Sequence, residues 1–133
     1  MFSVASTVKL HHTDAAGVLF FVNYFKIAHD AYEEFLEEIG LDIAYLIDGS
    51  PFLLLIAHAE ADYQKPQRVG DKITVEIAVE RIGNTSFTLA YRIVDASGEV
   101  ATTIKTVHAA LNKRTGKVTR LPEDLKANLK KYQ

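Results

Sequence analysis

The strongest candidate for chemistry in the sequence is Asp14, a carboxylate in a loop of small residues just ahead of a predicted helix. The start of a helix offers unpaired backbone N–H groups and the positive end of the helix dipole. Such N–H groups polarise a carbonyl and stabilise the oxyanion that develops on it. A carboxylate beside an oxyanion site is the minimal arrangement for hydrolysing an activated acyl group. The commoner role of an Asp at this position is to cap the helix or close a turn, so both interpretations stay open.

The histidines are candidates for metal ligands. The three considered for such a site are His11, His12 and His58. No pair of histidines has the four-residue spacing that places two ligands on one face of a helix. Glu60 and Asp62 share the strand parity of His58, and three polar side chains on one strand face are typical of a solvated or interface surface. We therefore expect no metal site, and we expect His29 and His108 to be packed and hydrogen-bonded rather than catalytic.

Basic residues near predicted strand ends and turns are candidates for holding nucleotide phosphates. They are Lys65, Arg68, Arg81 and Lys105. Scattered Lys and Arg are normally surface residues, and the sequence has no Gly-rich phosphate-binding loop. The pattern alone is weak evidence for a nucleotide site.

The composition excludes several classes of protein. With 133 residues, 48% hydrophobic and 24% charged, the chain is predicted to form one soluble folded domain over residues 1–133. The absence of cysteine excludes disulfides, thiolate metal sites and a Cys nucleophile. A net charge of −2 argues against broad nucleic-acid binding. No membrane span or signal peptide is expected, which favours a cytoplasmic protein.

The elements that must position Asp14 follow from the hydrophobic periodicity. An alternating segment predicts a half-buried strand with its apolar side formed by Phe2, Val4, Val8 and Leu10. Apolar residues then recur at intervals of three and four, which predicts a helix over 23–39: Phe25, Ala28, Ala31, Tyr32, Phe35, Leu36 and Ile39. Asn23 is predicted to be its N-cap and Gly40 to follow its end.

The second half of the sequence is predicted to be mainly β. After a short helical piece over 42–48 and Pro51, strands are predicted over 53–63, 73–80, 87–93 and 100–111, separated by turn residues. Strands joined by short turns pair antiparallel. Pro122 is predicted at the first position of a short terminal helix that ends near Tyr132.

One strand, a long helix and four strands indicate an α+β fold. A single helix can cover a five-stranded antiparallel sheet only if the sheet curves around it, which makes a long central helix wrapped by the sheet the economical packing. Part of the sheet and both of its edges then stay uncovered. We therefore expect a homodimer that pairs these edges or covers these faces.

Residues 13–24, Thr-Asp-Ala-Ala-Gly-Val-Leu-Phe-Phe-Val-Asn-Tyr, resemble hotdog-fold proteins of the 4-hydroxybenzoyl-CoA thioesterase type. The similarity extends over nearly the whole chain, through Asp62-Tyr63, Pro66, Gly70-Asp71, the turn at 83–87 and Leu121-Pro122. Within this group, segments 29–33 and 58–63 are most similar to the 1,4-dihydroxy-2-naphthoyl-CoA hydrolases of naphthoquinone (menaquinone or phylloquinone) biosynthesis.

The resemblance implies a hotdog fold and dimers that pair into homotetramers, with active sites at the dimer interface. It implies that Asp14 attacks the thioester or activates water, and that the backbone N–H of Phe21 holds the carbonyl. Many members have an acid where this chain has His12, so the support that this acid gives to the loop must come from elsewhere. No metal or organic cofactor is expected, because a thioester is already activated.

The substrate predicted from these arguments is an aromatic acyl-CoA. Apolar residues beside Asp14 suit a flat aryl group, although the same residues would also serve as core: Val18, Leu19, Phe20, Phe21, Tyr24 and Phe25. Substrate contacts are assigned to Gly17, Val18, Tyr24, His58, Arg81 and Ser86. The alternatives are a thioesterase of 4-hydroxybenzoyl-CoA or of aliphatic acyl-CoA, a non-catalytic acyl-CoA-binding protein, and a dehydratase that uses His58 with Glu60.

Overall fold

A five-stranded antiparallel sheet and one long helix form most of the molecule. The computed structural model describes all residues, Met1–Gln133. The elements in chain order are β1 (Phe2–Thr7), α1 (Asn23–Glu38), α2 (Ile43–Asp48), β2 (Phe52–Tyr63), β3 (Lys72–Ile82), β4 (Ser86–Asp95), β5 (Val100–Asn112) and α3 (Glu123–Lys130). The strands lie in the order β1-β3-β4-β5-β2. The predicted α+β architecture is confirmed.

Helix α1 is amphipathic and buries one side against the sheet. The predicted apolar positions are buried except for the half-buried Phe25, and the structure adds Tyr24 and Ile27 to them. The helix ends at Glu38, and Gly40 follows its end as predicted, with a φ of +83° that is accessible to a residue without a Cβ. The Leu41 N–H donates to the Leu36 carbonyl at 2.8 Å, which pairs one of the last free carbonyls of the helix.

Each of the central strands has one face in the core. The inner face, which packs on α1, is formed in β5 by Thr102, Ile104, Thr106, His108 and Ala110, all of them buried. In β4 it is formed by Phe87, Leu89, Tyr91 and Ile93. Buried residues from β2 to β5, from α1 and from α3 share one hydrophobic cluster, against which α2 and β1 also pack. The outer face carries the alternate residues, such as His58 and Lys105.

Strand β2 forms one edge of the sheet because it pairs with β5 instead of with β3, the next strand along the chain. The segment between β2 and β3 therefore leads the chain from one side of the sheet to the other. A bulge between Ile56 and His58 interrupts the pairing with β5. The outer edge of β2 is unpaired in the protomer, and it exposes Leu55, Ile56 and Tyr63.

Three local predictions are wrong. The side chain of Leu10 is 76% exposed, because strand pairing ends at Thr7 and a 3-10 turn follows over Leu10–His12. Asn23 is the first residue of α1 and not its cap, and the N-cap is Val22, which offers no polar side chain. Pro122 is the N-cap of α3 and not its first residue. None of the helices combines the length and apolar content needed to cross a membrane.

Candidate active site

Asp14 closes the loop that precedes α1. Its Oδ1 accepts hydrogen bonds from the backbone N–H groups of Ala16 at 2.8 Å and Val18 at 3.2 Å. The Asp14 N–H donates to the Val18 carbonyl at 2.9 Å. Oδ2 makes no hydrogen bond within the chain, and the residue is exposed. Oδ1 therefore has the turn-forming role that is common for Asp, while Oδ2 is free to act on a substrate or a water.

The Asp14 loop is fixed to the segment that leads from β2 to β3. Gly17 has a φ of +76°, and its carbonyl accepts the Val69 N–H at 3.0 Å. The Leu19 N–H donates to the carbonyl of Gln67 at 2.8 Å. Because Gln67 is buried, this second contact ties the loop to the protein interior.

His12 supports the loop through its main-chain carbonyl and through its ring. Its carbonyl accepts the Phe20 N–H at 3.0 Å and the side-chain amide of Asn23 at 2.8 Å, which joins the two ends of the loop. The ring Nδ1 accepts the Lys9 N–H at 3.0 Å. Burial lowers the pKa of His12, and neighbouring His11 lowers it further. A neutral His12 therefore keeps the lone pair that the Lys9 N–H requires.

The main chain at Phe21 has a free donor. The N–H groups of Phe21 and Val22 make no hydrogen bond within the chain, as expected just before a helix. The Phe21 side chain is exposed. Its carbonyl accepts the hydroxyl of Tyr63, the last residue of β2, at 3.0 Å. An N–H with no partner at a helix start can bind a carbonyl oxygen of a substrate.

A cleft of about 300 Å³ opens beside this helix start. Its walls are Val18, Leu19, Phe21, Tyr24, Tyr63, Gln64, Lys65 and Pro66. The rings of Tyr24 and Tyr63 meet edge-to-face at 5.1 Å. Asp14 does not line the cleft itself, but its Oδ1 is bonded to the N–H of Val18, which does. The cleft is mainly apolar, which suits a flat hydrophobic group.

The structure places three of the six residues predicted to contact a substrate at the cleft or next to it. Val18 and Tyr24 line the cleft, and Gly17 lies next to Val18 in the loop. Ser86 begins β4 and lies opposite Ala109 of β5, away from the cleft within the protomer.

His58 and Arg81 lie on the outer face of the sheet, away from the cleft. His58 is five residues from Tyr63 along β2, which is roughly 16 Å at the usual rise of a strand. Its Nε2 lies 3.2 Å from Glu60 Oε1, and both side chains are more than half exposed. Arg81 is at the bulged end of β3 and is exposed. The protomer by itself does not place these two residues at the cleft.

The remaining basic candidates are scattered. Lys65 Nζ lies 2.6 Å from Asp95 Oδ2 and 3.3 Å from Glu99 Oε2, so two carboxylates already neutralise it beside the cleft. Lys105 pairs with Glu80 at 2.9 Å on the outer face. No phosphate site is assembled by these residues within one protomer. No three His, Asp or Glu side chains come together in a way that could hold a metal ion.

Two of the histidine predictions have opposite outcomes. His29 is exposed on α1 and is not packed in the core, so that prediction is wrong. His108 is buried, and its Nε2 is 2.7 Å from Thr106 Oγ1, as predicted for a packed and hydrogen-bonded residue.

Tyr63 and Gln64 are cleft residues that the site prediction from the sequence omitted, and Lys65 was considered only as a phosphate contact. They lie more than 40 positions after Asp14, as the separation of 42 residues between Phe21 and Tyr63 illustrates. No local pattern indicates that the end of the edge strand meets the start of the helix. The signal available in the sequence is a large aromatic residue at the end of a predicted strand, which is weak evidence by itself.

Comparison with known proteins identifies similar chains. The family model described as the thioesterase-like superfamily matches residues 8–129. The chain is 35% identical over 126 residues to the 1,4-dihydroxy-2-naphthoyl-CoA hydrolase of Rippkaea orientalis, covering 93% of this chain and 91% of that one. It is 34% identical over 119 residues to the enzyme of the same name from Synechococcus elongatus, covering 89% and 87%.

Solved structures give the same picture of the fold. The crystal structure of a 1,4-dihydroxy-2-naphthoyl-CoA thioesterase from Synechocystis superposes with a TM-score of 0.90 and 27% sequence identity. The match covers 96% of this chain and 94% of that chain. The similarity therefore extends over the entire architecture of sheet and helices.

Proposed function

Because the chain belongs to the thioesterase-like superfamily, we propose that it hydrolyses an aromatic acyl-CoA, with 1,4-dihydroxy-2-naphthoyl-CoA as the preferred substrate. The family match confirms the resemblance found in the sequence, and with it the prediction of an acyl-CoA thioester hydrolase with a hotdog fold. The observation that carries the proposal is the Asp14 loop, which presents a carboxylate oxygen and a backbone N–H without partners at one helix start.

The proposed reaction uses Asp14 and the Phe21 N–H. Attack on the thioester carbon, by Asp14 Oδ2 or by a water that Oδ2 deprotonates, moves the carbonyl electron pair onto oxygen. The Phe21 N–H binds that oxyanion. Collapse of the intermediate expels the CoA thiolate, which takes up a proton. In the water route this step releases the carboxylic acid directly, whereas in the nucleophilic route a water then hydrolyses the mixed anhydride on Asp14 and releases the acid. The two bonds that hold Oδ1 keep the carboxylate in place, so Oδ2 needs no reorganisation before attack.

The substrate part of the proposal rests on the named relatives and on the aromatic walls of the cleft. A panel of 1,4-dihydroxy-2-naphthoyl-, 4-hydroxybenzoyl-, benzoyl-, phenylacetyl- and medium-chain acyl-CoA, assayed by thiol release, tests it. We expect the naphthoyl thioester to have the highest kcat/KM. An aliphatic thioester as the best substrate would contradict the aryl assignment, and equal efficiency with 4-hydroxybenzoyl-CoA would contradict the naphthoyl assignment alone.

The same assay separates catalysis from simple binding. A non-catalytic acyl-CoA-binding protein would bind the thioester tightly and release no thiol. A dehydratase would need the His58–Glu60 pair in an enclosed site, and in the protomer this pair is open to solvent. The hydrolase assignment therefore depends on Asp14 and not on His58.

We further propose that two copies pair along β2 and that dimers assemble into a homotetramer. Edge β2 is twelve residues long and exposes Leu55, Ile56 and Tyr63, and a long apolar edge without a partner promotes aggregation. A copy paired along β2 would also come next to the cleft, because Tyr63 belongs to both. The sheet face without helices is available for a second interface.

Light scattering at micromolar concentration tests the assembly. We expect the homotetramer to scatter with about four times the 14.8 kDa mass of the chain. Dimers that do not assemble further would scatter with about twice that mass. Leu55→Lys should lower this mass by placing a charge at the paired edge, whereas Val118→Lys, at another exposed apolar residue, should not. A wild-type protein that scatters as a 14.8 kDa monomer would contradict the proposal. The cytoplasmic location and the single domain over 1–133 stay predictions.

A further inference from the structure

Tyr63 links the edge of the sheet to the start of α1. Its hydroxyl donates a hydrogen bond to the Phe21 carbonyl at 3.0 Å, and its ring packs edge-to-face on that of Tyr24 at 5.1 Å. Burial raises the pKa of the Tyr63 hydroxyl, so the hydroxyl keeps its proton and stays a donor at neutral pH. The hydroxyl therefore holds a main-chain atom of Phe21, a residue that lines the cleft and whose N–H has no partner in the chain.

The Phe21 carbonyl has no other partner. In a regular α-helical turn the N–H of Phe25 would donate to it, but that N–H donates instead to the Val22 carbonyl at 3.1 Å. The Asn23 N–H donates to the Phe20 carbonyl at 2.8 Å. No N–H in the first turn of α1 thus donates to the Phe21 carbonyl. The Phe21 side chain is exposed and does not pack in the core. Only the Tyr63 hydroxyl fixes this peptide by a hydrogen bond.

We propose that Tyr63 is a positioning residue for the oxyanion-binding N–H of Phe21. By fixing the carbonyl of Phe21, Tyr63 restricts the backbone torsions around that residue and so holds its N–H in one orientation beside the cleft. A donor that is already aimed stabilises the developing charge without reorganisation during the reaction. This inference rests on the proposed function and adds a residue to its machinery. It also makes the end of β2 a part of the active site.

The test compares three variants with the wild type on the best thioester of the panel. Tyr63→Phe removes the hydroxyl and keeps the ring against Tyr24, and Tyr63→Leu removes both. Tyr132→Phe is the matched control, because the Tyr132 hydroxyl likewise donates one hydrogen bond, to Glu38 Oε1 at 3.2 Å, but Tyr132 does not line the cleft. Thermal unfolding and light scattering of each variant establish that fold and assembly are kept.

We expect Tyr63→Phe to lower kcat about five- to tenfold with KM within about twofold, as for the loss of one hydrogen bond that acts in the transition state. Tyr63→Leu should lower kcat at least as much, and Tyr132→Phe should match the wild type. A Tyr63→Phe enzyme with wild-type kcat would overturn the inference, as would a loss carried by KM, which would make Tyr63 a substrate contact. A wild-type protein that hydrolyses no thioester would instead overturn the proposed function.

Discussion

The Asp14 loop and the polar network around His108 differ in the burial and in the hydrogen bonding of their polar groups. In the loop, Asp14 and Phe21 are exposed residues, and Asp14 Oδ2 and the Phe21 N–H have no partner in the chain. In the network, Tyr91 OH lies 2.9 Å from Thr106 Oγ1, which lies 2.7 Å from His108 Nε2, and all three residues are buried.

Burial makes the His108 network unreactive, and only the Nε2 atom of His108 has a hydrogen-bond partner, because Nδ1 is buried without one. The His108 ring is stacked between Tyr32 at 4.3 Å and Phe87 at 5.0 Å. Burial lowers the pKa of His108 to about 4, with a smaller contribution from His29, and burial raises the pKa of Tyr91 to about 12. Both groups are therefore neutral at physiological pH. A polar group enclosed in the core has no access to a substrate, whereas the groups of the loop that have no partner are available to one.

Of the substitutions that test this comparison, Asp14→Asn should have the largest effect, and the effect should be on kcat/KM. The amide oxygen can still accept the Ala16 and Val18 N–H groups, so the loop should keep its shape. Loss of the base or nucleophile should lower kcat/KM by about 10²–10⁴-fold, with little change in the free energy of unfolding. Steady-state kinetics and urea unfolding measure the two quantities.

Asp42→Asn is the control, because Asp42 also accepts a backbone N–H, that of Ala44, at the start of α2. A loss of less than about tenfold would remove Asp14 from the mechanism.

His108→Ala should have the opposite signature. Deleting a buried ring and one hydrogen bond should lower the free energy of unfolding by about 3 kcal/mol, while kcat of the folded enzyme stays near that of the wild type. Urea unfolding at one fixed protein concentration measures this change. His58→Ala, at an exposed position, should change it by less than about 0.5 kcal/mol. If His108→Ala abolished kcat in well-folded protein, the division between the two regions would be wrong.

Lowering the pH should lower the free energy of unfolding through protonation of His108 in the same network. Because the folded-state pKa of His108 is about 4, below the ordinary value of 6.5, the unfolded chain binds more protons between these pH values. The contribution to stability is therefore complete above pH 6.5 and is lost as the pH falls towards 4, by about 1.4 kcal/mol per pH unit. Burial also lowers the pKa of His12, so protonation of His12 should lower the free energy of unfolding at acid pH as well.

The variant His108→Phe isolates this effect, because it keeps an aromatic ring between Tyr32 and Phe87 and cannot be protonated. Urea unfolding at pH 7, 6 and 5 should give a flatter dependence for the variant than for the wild type. Equal slopes for the two proteins would show that protonation of His108 does not weaken the fold.

Local patterns in the sequence determined most of the secondary structure and the position of the reactive carboxylate. The spacing of apolar residues predicted α1 and the four later strands, because amphipathic periodicity reports which face meets the core. Gly40 ended α1 as predicted, because a positive φ is set by the local backbone. Asp14 in a small-residue loop before a helix was also identifiable without tertiary structure.

The tertiary structure decided how distant segments meet. Only the sheet order shows that β2 pairs with β5 and is therefore an edge strand. This position brings Tyr63 into contact with Phe21, 42 residues earlier in the chain. It likewise showed that Asn23 bonds the His12 carbonyl and does not cap its own helix. Propensity and periodicity describe interactions over a few residues, whereas these contacts depend on which segments the fold places side by side.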